Sequence, residues 1–219
     1  GGPEKTLQPI DLMLPGERIH LAPDSLDGLF HRTFHDTETL LGLQRFAWIT
    51  LADHPVDTSW VDAIWRSWIV AHSHPDDSWA WHPYTVAERA INILDFAAVN
   101  GLPGDEQTTR NCLVQHATVI ADRLEYWGDN NTSNHLANNG RGLYRIGLEL
   151  DLPWAIDLGA TILINEAERL FLDSGVLREG SSHYHLLYTQ RYLDVWLAAH
   201  RHGRPERDAL GEIARKALG

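Results

Sequence analysis

The sequence predicts an all-α protein, and three observations carry that reading. After residue 24, apolar residues recur at helical spacing in almost every segment. Each such segment is bounded by a capping residue, a proline or a glycine. No stretch alternates apolar and polar residues over more than a few positions, as a half-buried strand would.

In chain order, residues 1–24 hold four prolines and little periodicity, and read as an extended lead-in. Thr37 to about Ala52 places Leu40, Leu41, Leu43, Ala47, Trp48 and Leu51 at helical spacing. Asp57 to Ala71 follows, with Asp57, Thr58 or Ser59 as cap and Trp60, Val61, Ile64, Trp65, Trp68 and Ile69 on one stripe. Thr85 to Asn100 carries Val86, Ala90, Ile91, Leu94 and Ala97, and stops at Gly101. Asp105 to Trp127 is long and closes at Gly128, and Ser133 to Leu150 comes next. Pro153 opens a helix to about Ser174 that ends at Gly175, with proline at the entry and glycine at the exit. Tyr184 to Arg201 and Pro205 to Leu218 complete the set. About eight helices on short turns fit an antiparallel stack of helical hairpins, one domain over 25–219. No fixed-period repeat is visible.

Composition narrows the function classes. A formal net charge of −12 argues against a nucleic-acid surface. Arginine supplies nearly all the positive charge, which suits bidentate binding of carboxylate or sulfate. Nine tryptophans either line a sugar-binding cleft or fill the core. Cys112 is the single cysteine, so there is no disulfide framework and no Cys-based zinc site, and the compartment stays open. No apolar run reaches the roughly 18 residues needed to span a bilayer. The chain opens Gly1-Gly2, which reads as a processed or engineered start. His31/His35 lacks the adjacent Glu of a zinc-protease helix, and the other His pairs sit two apart, off a shared helix face. Neither metal nor cofactor is expected.

Three segments could carry chemistry. Asn130 to Arg141 sets five Asn, a His and an Arg across a helix start. Helix capping by Ser133 or Asn134 is the plain reading. However, His135 and Asn139 share a face, as do Asn134 and Asn138, which is more polarity than a cap requires. Arg178 to Tyr192 contains Glu179, Tyr184, His185, Tyr188 and Arg191. A Tyr beside His and Arg can donate or accept a proton, or its hydroxyl can cap a buried edge. Trp79, Trp81 and Tyr84 precede a helix bearing Arg89, and either stack on a sugar ring or plug the loop.

Together these segments resemble the heparinase II/III family of polysaccharide lyases. The stretch Trp81 to Asn92, with Tyr84 and Arg89, looks like that family's aromatic-and-arginine segment. Asn134-His135-Leu136 to Leu143 is similar to its Asn-His motif, and Glu179 to His185 followed by Tyr192 resembles the segment of its catalytic tyrosine. The order matches as well, so the resemblance covers roughly residues 30–215.

The resemblance implies an incomplete (α/α) toroid of antiparallel helical hairpins, with a C-terminal β-sandwich part lying beyond this chain. It implies a bacterial protein acting on an acidic polysaccharide, with export to the periplasm or medium favoured. The implied reaction is β-elimination at a uronic acid without a cofactor. Asn134 would neutralise the carboxylate, His135 or Tyr184 would remove the C5 proton, and Tyr184 or a His such as His185 would protonate the departing oxygen. Trp79, Trp81, Tyr84, Arg89, Asn138, Asn139, Glu179, Tyr188 and Arg191 would bind substrate, and Asn134, His135 and Tyr184 are expected at one end of the domain. A glycoside hydrolase would need two flanking carboxylates, and no obvious pair stands in these segments. A non-catalytic glycan-binding module is the other alternative.

Overall fold

The computed structural model describes residues 7–52, 56–128 and 134–219. Among these the fold is helical apart from one two-stranded hairpin and an isolated bridge. The chain separates into two compact units, one ending at Val119 and one beginning at Ile120.

The first unit corrects the reading of residues 1–24 over its described part, residues 1–6 lying outside the described residues. Strand β1 (Ile10–Leu14) pairs antiparallel with β2 (Glu17–Leu21), Leu14 opposite Glu17 and Ile10 opposite Leu21. Pro15-Gly16 makes the turn, with Gly16 at φ 75°, a conformation that glycine adopts without a Cβ clash. Leu12, Leu14, Ile19 and Leu21 are buried, so the alternation is present but confined to five residues a side.

Helix α1 (Thr37–Gln44) and the short α2 (Trp48–Leu51) replace the single helix expected over 37–52. The break falls at Phe46, which is fully buried and sits at φ 58°. Left-handed backbone at a bulky residue persists only where its surroundings enforce it. Here the ring is boxed by Phe30, Trp48 and Trp65. Helix α3 (Thr58–Ala71) is capped by Asp57, which accepts from Ser59 N at 2.8 Å. Helix α4 (Pro83–Asn100) and helix α5 (Glu106–Asp122) follow, α5 running across the unit boundary and ending before the expected Trp127.

Trp48, Trp60, Trp65, Trp68 and Trp81 are all core residues, which answers the tryptophan question for five of the nine. Trp65 and Trp68 stack at 5.5 Å, while their indole N–H groups donate to Thr109 Oγ1 and Gln44 Oε1. A buried indole usually finds such an acceptor, although the N–H groups of Trp48 and Trp81 have none among the described residues.

The second unit comprises α6 (His135–Leu150), α7 (Pro153–Leu170), α8 (Ser182–Arg201) and α9 (Arg207–Leu218). Helices α6 and α7 pack backbone to backbone through glycines. A Cβ on Gly159 would stand 2.6 Å from Tyr144 N and 2.8 Å from Gly140 O, so no larger residue fits without displacing a helix. Helix α7 stops at Leu170, and Phe171 pairs with Leu177 across a turn at Gly175. Asp194 on α8 takes both Arg141 and Arg145 from α6, and Tyr192 donates its hydroxyl to Leu163 O on α7 at 2.7 Å. These contacts fix α8 against α6 and α7. No described helix is long and apolar enough to cross a membrane.

Candidate functional site

The sequence-predicted residues fall into two groups, one in each unit. In the first unit the aromatic-and-arginine segment is structural. Arg89 has 0% exposure, and two of its three nitrogens bond backbone and imidazole, while Nη2 is buried without a partner among the described residues. Nη1 donates to Gln44 O and Ala80 O, both at 2.9 Å, and Nε donates to His116 Nε2 at 2.9 Å. The guanidinium lies 3.9 Å from the centre of the Trp68 ring. Asn92, one turn later, donates to Arg45 O at 2.9 Å, and Arg45 sits over the Tyr84 ring at 5.0 Å. Arg89 and Asn92 thus satisfy the two carbonyls left open where the helix breaks at residues 44–46.

The expectation that Arg89 binds substrate is therefore corrected: it is a buried helix-end cap. Trp81 is corrected with it, fully buried against Trp68 at 5.4 Å and His116 at 5.3 Å. Tyr84 is half-buried beside Arg45, and Trp79 alone of the aromatic set is open, at 49%.

The electrostatics around Arg89 follow from burial. Desolvation pulls Arg89 down to about 9, still above neutrality, so it stays a cation. No carboxylate among the described residues pairs with it. His116 must accept from Arg89 at Nε2, so it carries its proton on Nδ1, which faces Cys112 O at 2.7 Å. Burial and the neighbouring cation hold His116 well below its usual range. His72 is pulled down to about 4, first by burial and then by Arg89. Burial pushes the Cys112 thiol up to about 12, so it is an inert thiol.

The second unit gathers a different cluster. His135 is the first residue of α6 and is half exposed. Its Nδ1 lies 2.8 Å from Glu125 Oε1. Glu125 Oε2 accepts from Asn139 Nδ2 at 3.0 Å, and the Glu125 backbone N–H donates to Asn139 Oδ1 at 3.0 Å. Asn134, at the N-cap position, makes no side-chain cap bond, and its carbonyl accepts from the Tyr188 hydroxyl at 2.9 Å. Arg191 Nη1 donates to the same hydroxyl at 3.2 Å. Asn138 is fully buried, and neither of its amide atoms has a partner among the described residues. The Asn130 to Ser133 part of the motif lies outside the described residues.

Thus α6 and α8 bring Asn134, His135, Asn139, Tyr188 and Arg191 to one end of the second unit. Tyr184, one turn before Tyr188 on α8, is 41% exposed, against 2% for Tyr188. The tyrosine in contact with Asn134 is Tyr188, not the expected Tyr184. His185 is corrected as a proton-transfer group. Its Nδ1 accepts from Leu177 N at 3.2 Å and its Nε2 faces Ala217 O at 3.0 Å, so both nitrogens tie α8 to its neighbours. Glu179 is exposed on the loop before α8. Glu125 was hidden from sequence reasoning because the helical pattern ran through it to Trp127; the helix stops at Asp122 and frees it to fold back on α6. Among the described residues, no group of three or more His, Cys, Asp or Glu could hold a metal ion.

The class of fold now follows: an all-α chain with the fold of the helical part of a heparinase-type polysaccharide lyase. No family model and no curated protein sequence matches the chain. Among solved structures it is similar to heparan sulfate lyase HepC from Pedobacter heparinus, with a TM-score of 0.62 and 16% identity. That match covers 88% of this chain and 33% of the other. A mutant of the same lyase matches with a TM-score of 0.68 at 14% identity, over 95% of this chain and 35% of the other. The chain therefore spans about a third of the length of the proteins that it resembles, and the likeness establishes the fold.

Proposed function

We propose that this chain is the helical part of a polysaccharide lyase that cleaves a uronic-acid-containing glycan by β-elimination. The observation that carries the reading is the meeting of Asn134, a Glu125-held His135 and the Tyr188–Arg191 pair at one end of the second unit. The fold shared with a heparan sulfate lyase supports it.

The chemistry follows from what each group can supply. The C5 hydrogen of a uronate becomes acidic once the adjacent carboxylate is neutralised, the role given to the Asn134 amide. His135 takes that proton as base through Nε2. The freed electron pair forms the C4–C5 double bond, the C4–O4 bond breaks, and O4 leaves with its electrons. Tyr188 turns its hydroxyl hydrogen from the Asn134 carbonyl to O4 and delivers the proton that O4 accepts, and the N–H of Arg191 steadies the phenolate left behind. Water does not enter the bond cleavage. Trp79, Tyr184 and Glu179 remain candidates for contact with the glycan outside this set, and a β-sandwich part of the same protein would supply the rest of the cleft.

The test is the product formed by the whole protein from heparan sulfate, hyaluronan, alginate and bacterial exopolysaccharides. Elimination yields an unsaturated uronate that absorbs at the ultraviolet edge. Reducing ends without that absorbance would point to hydrolysis, and binding without cleavage to a non-catalytic module.

A further inference from the structure

We infer that Glu125 is a positioning residue that fixes the tautomer and direction of His135, and this rests on the reading of His135 as the base. Glu125 follows the end of α5 and is buried, its side chain 10% exposed beside a His135 that is 46% exposed. Its two carboxylate oxygens are divided between two residues of α6. Oε1 faces His135 Nδ1 at 2.8 Å, and Oε2 accepts from Asn139 Nδ2 at 3.0 Å. Its backbone N–H returns a bond to Asn139 Oδ1 at 3.0 Å.

Each bond restricts a different freedom. The reciprocal pair with Asn139 sets the carboxylate against α6, so that Oε1 has one direction. An ionised carboxylate only accepts, so the His135 nitrogen that it meets must carry the hydrogen. The ring is therefore protonated on Nδ1, and the basic lone pair lies on Nε2. A histidine at a helix start otherwise swings about two torsions and exchanges tautomers. When Nε2 takes the C5 proton, the new charge on the ring faces a carboxylate already in place, so little reorganisation accompanies the transfer. A carboxylate holding an imidazole in this way is the orienting partner of a general base.

The test reads the tautomer apart from activity. Nitrogen NMR of the whole protein, with His135 assigned by its absence in His135→Gln, is expected to show Nδ1 protonated and Nε2 bare in the neutral ring. In Glu125→Gln the carboxylate is lost at constant shape, and the ring is expected to shift toward protonation on Nε2. Turnover should then fall about a hundredfold, the usual worth of a positioned proton-transfer group, with KM little changed. A wild-type ring protonated on Nε2 overturns the inference, and that measurement needs no variant to fold. A tautomer unmoved in Glu125→Gln, or turnover unmoved in that variant while His135→Gln abolishes it, also overturns it. Turnover unmoved by His135→Gln sinks the base reading itself, and the tautomer spectra then show that the failure lay there and not in the Glu125 contact.

Discussion

Tyr188 on α8 donates its hydroxyl to the carbonyl of Asn134 at 2.9 Å, joining the start of α6 to the second turn of α8. The same oxygen accepts from Arg191, so this phenol is oriented from two sides, whereas Tyr184 stands exposed one turn earlier. The two tyrosines are separable by removing one oxygen from each. Tyr188→Phe is expected to lower turnover by about a hundredfold, with a loss of folding stability of about 1 kcal/mol for the buried hydrogen bond. Tyr184→Phe should change turnover much less. Steady-state kinetics beside thermal denaturation of both variants checks this, and the reverse ranking would move the proton donor back to Tyr184.

Arg89 is expected to matter for folding. Arg89→Lys retains the charge but cannot reach His116 and two carbonyls with one ammonium, so buried acceptors lose their donor. A loss of about 3 kcal/mol is expected from chemical denaturation, in line with breaking a buried charged network. Weakened glycan affinity with stability intact would restore the substrate-binding role.

The same cluster sets a pH dependence. His72 is held near 4 and His116 well below 6.5 in the folded protein, while both return to about 6.5 in the unfolded chain. Between pH 6.5 and about 4 the unfolded state therefore binds protons that the folded state refuses. Stability in this window falls as pH falls, and the contribution is fully present only above about 6.5. Denaturation midpoints at stepped pH should show this slope, and His116→Gln should flatten it. A slope equal in wild type and variant would mean that the titration lies elsewhere.

Helical spacing and punctuation marked most of the fold in the sequence. The stripes of α3 and α4, the Asp57 cap and the proline entry of α7 all stand where periodicity puts them. The hairpin at Ile10–Leu21 was missed because its alternation is short and its prolines outweighed it. The break at Phe46 has no local signal: it is imposed by Arg89 and Asn92, more than 40 residues away in the chain. The candidate site was legible in part. Asn134, His135 and Asn139 share the helix start that their spacing announced, and Tyr188 and Arg191 join them. Burial, which depends on tertiary packing, removed Arg89 and Trp81, and a long-range ring contact removed His185.

Elimination breaks the glycosidic bond without water, so cleavage in water enriched in heavy oxygen separates it from hydrolysis. Products from the whole protein acting on an acidic glycan should carry no heavy oxygen at the new ends. The fragment with the unsaturated uronate should be lighter than its hydrolytic counterpart by one water. One heavy oxygen incorporated for each bond cleaved would contradict the account and make the protein a hydrolase.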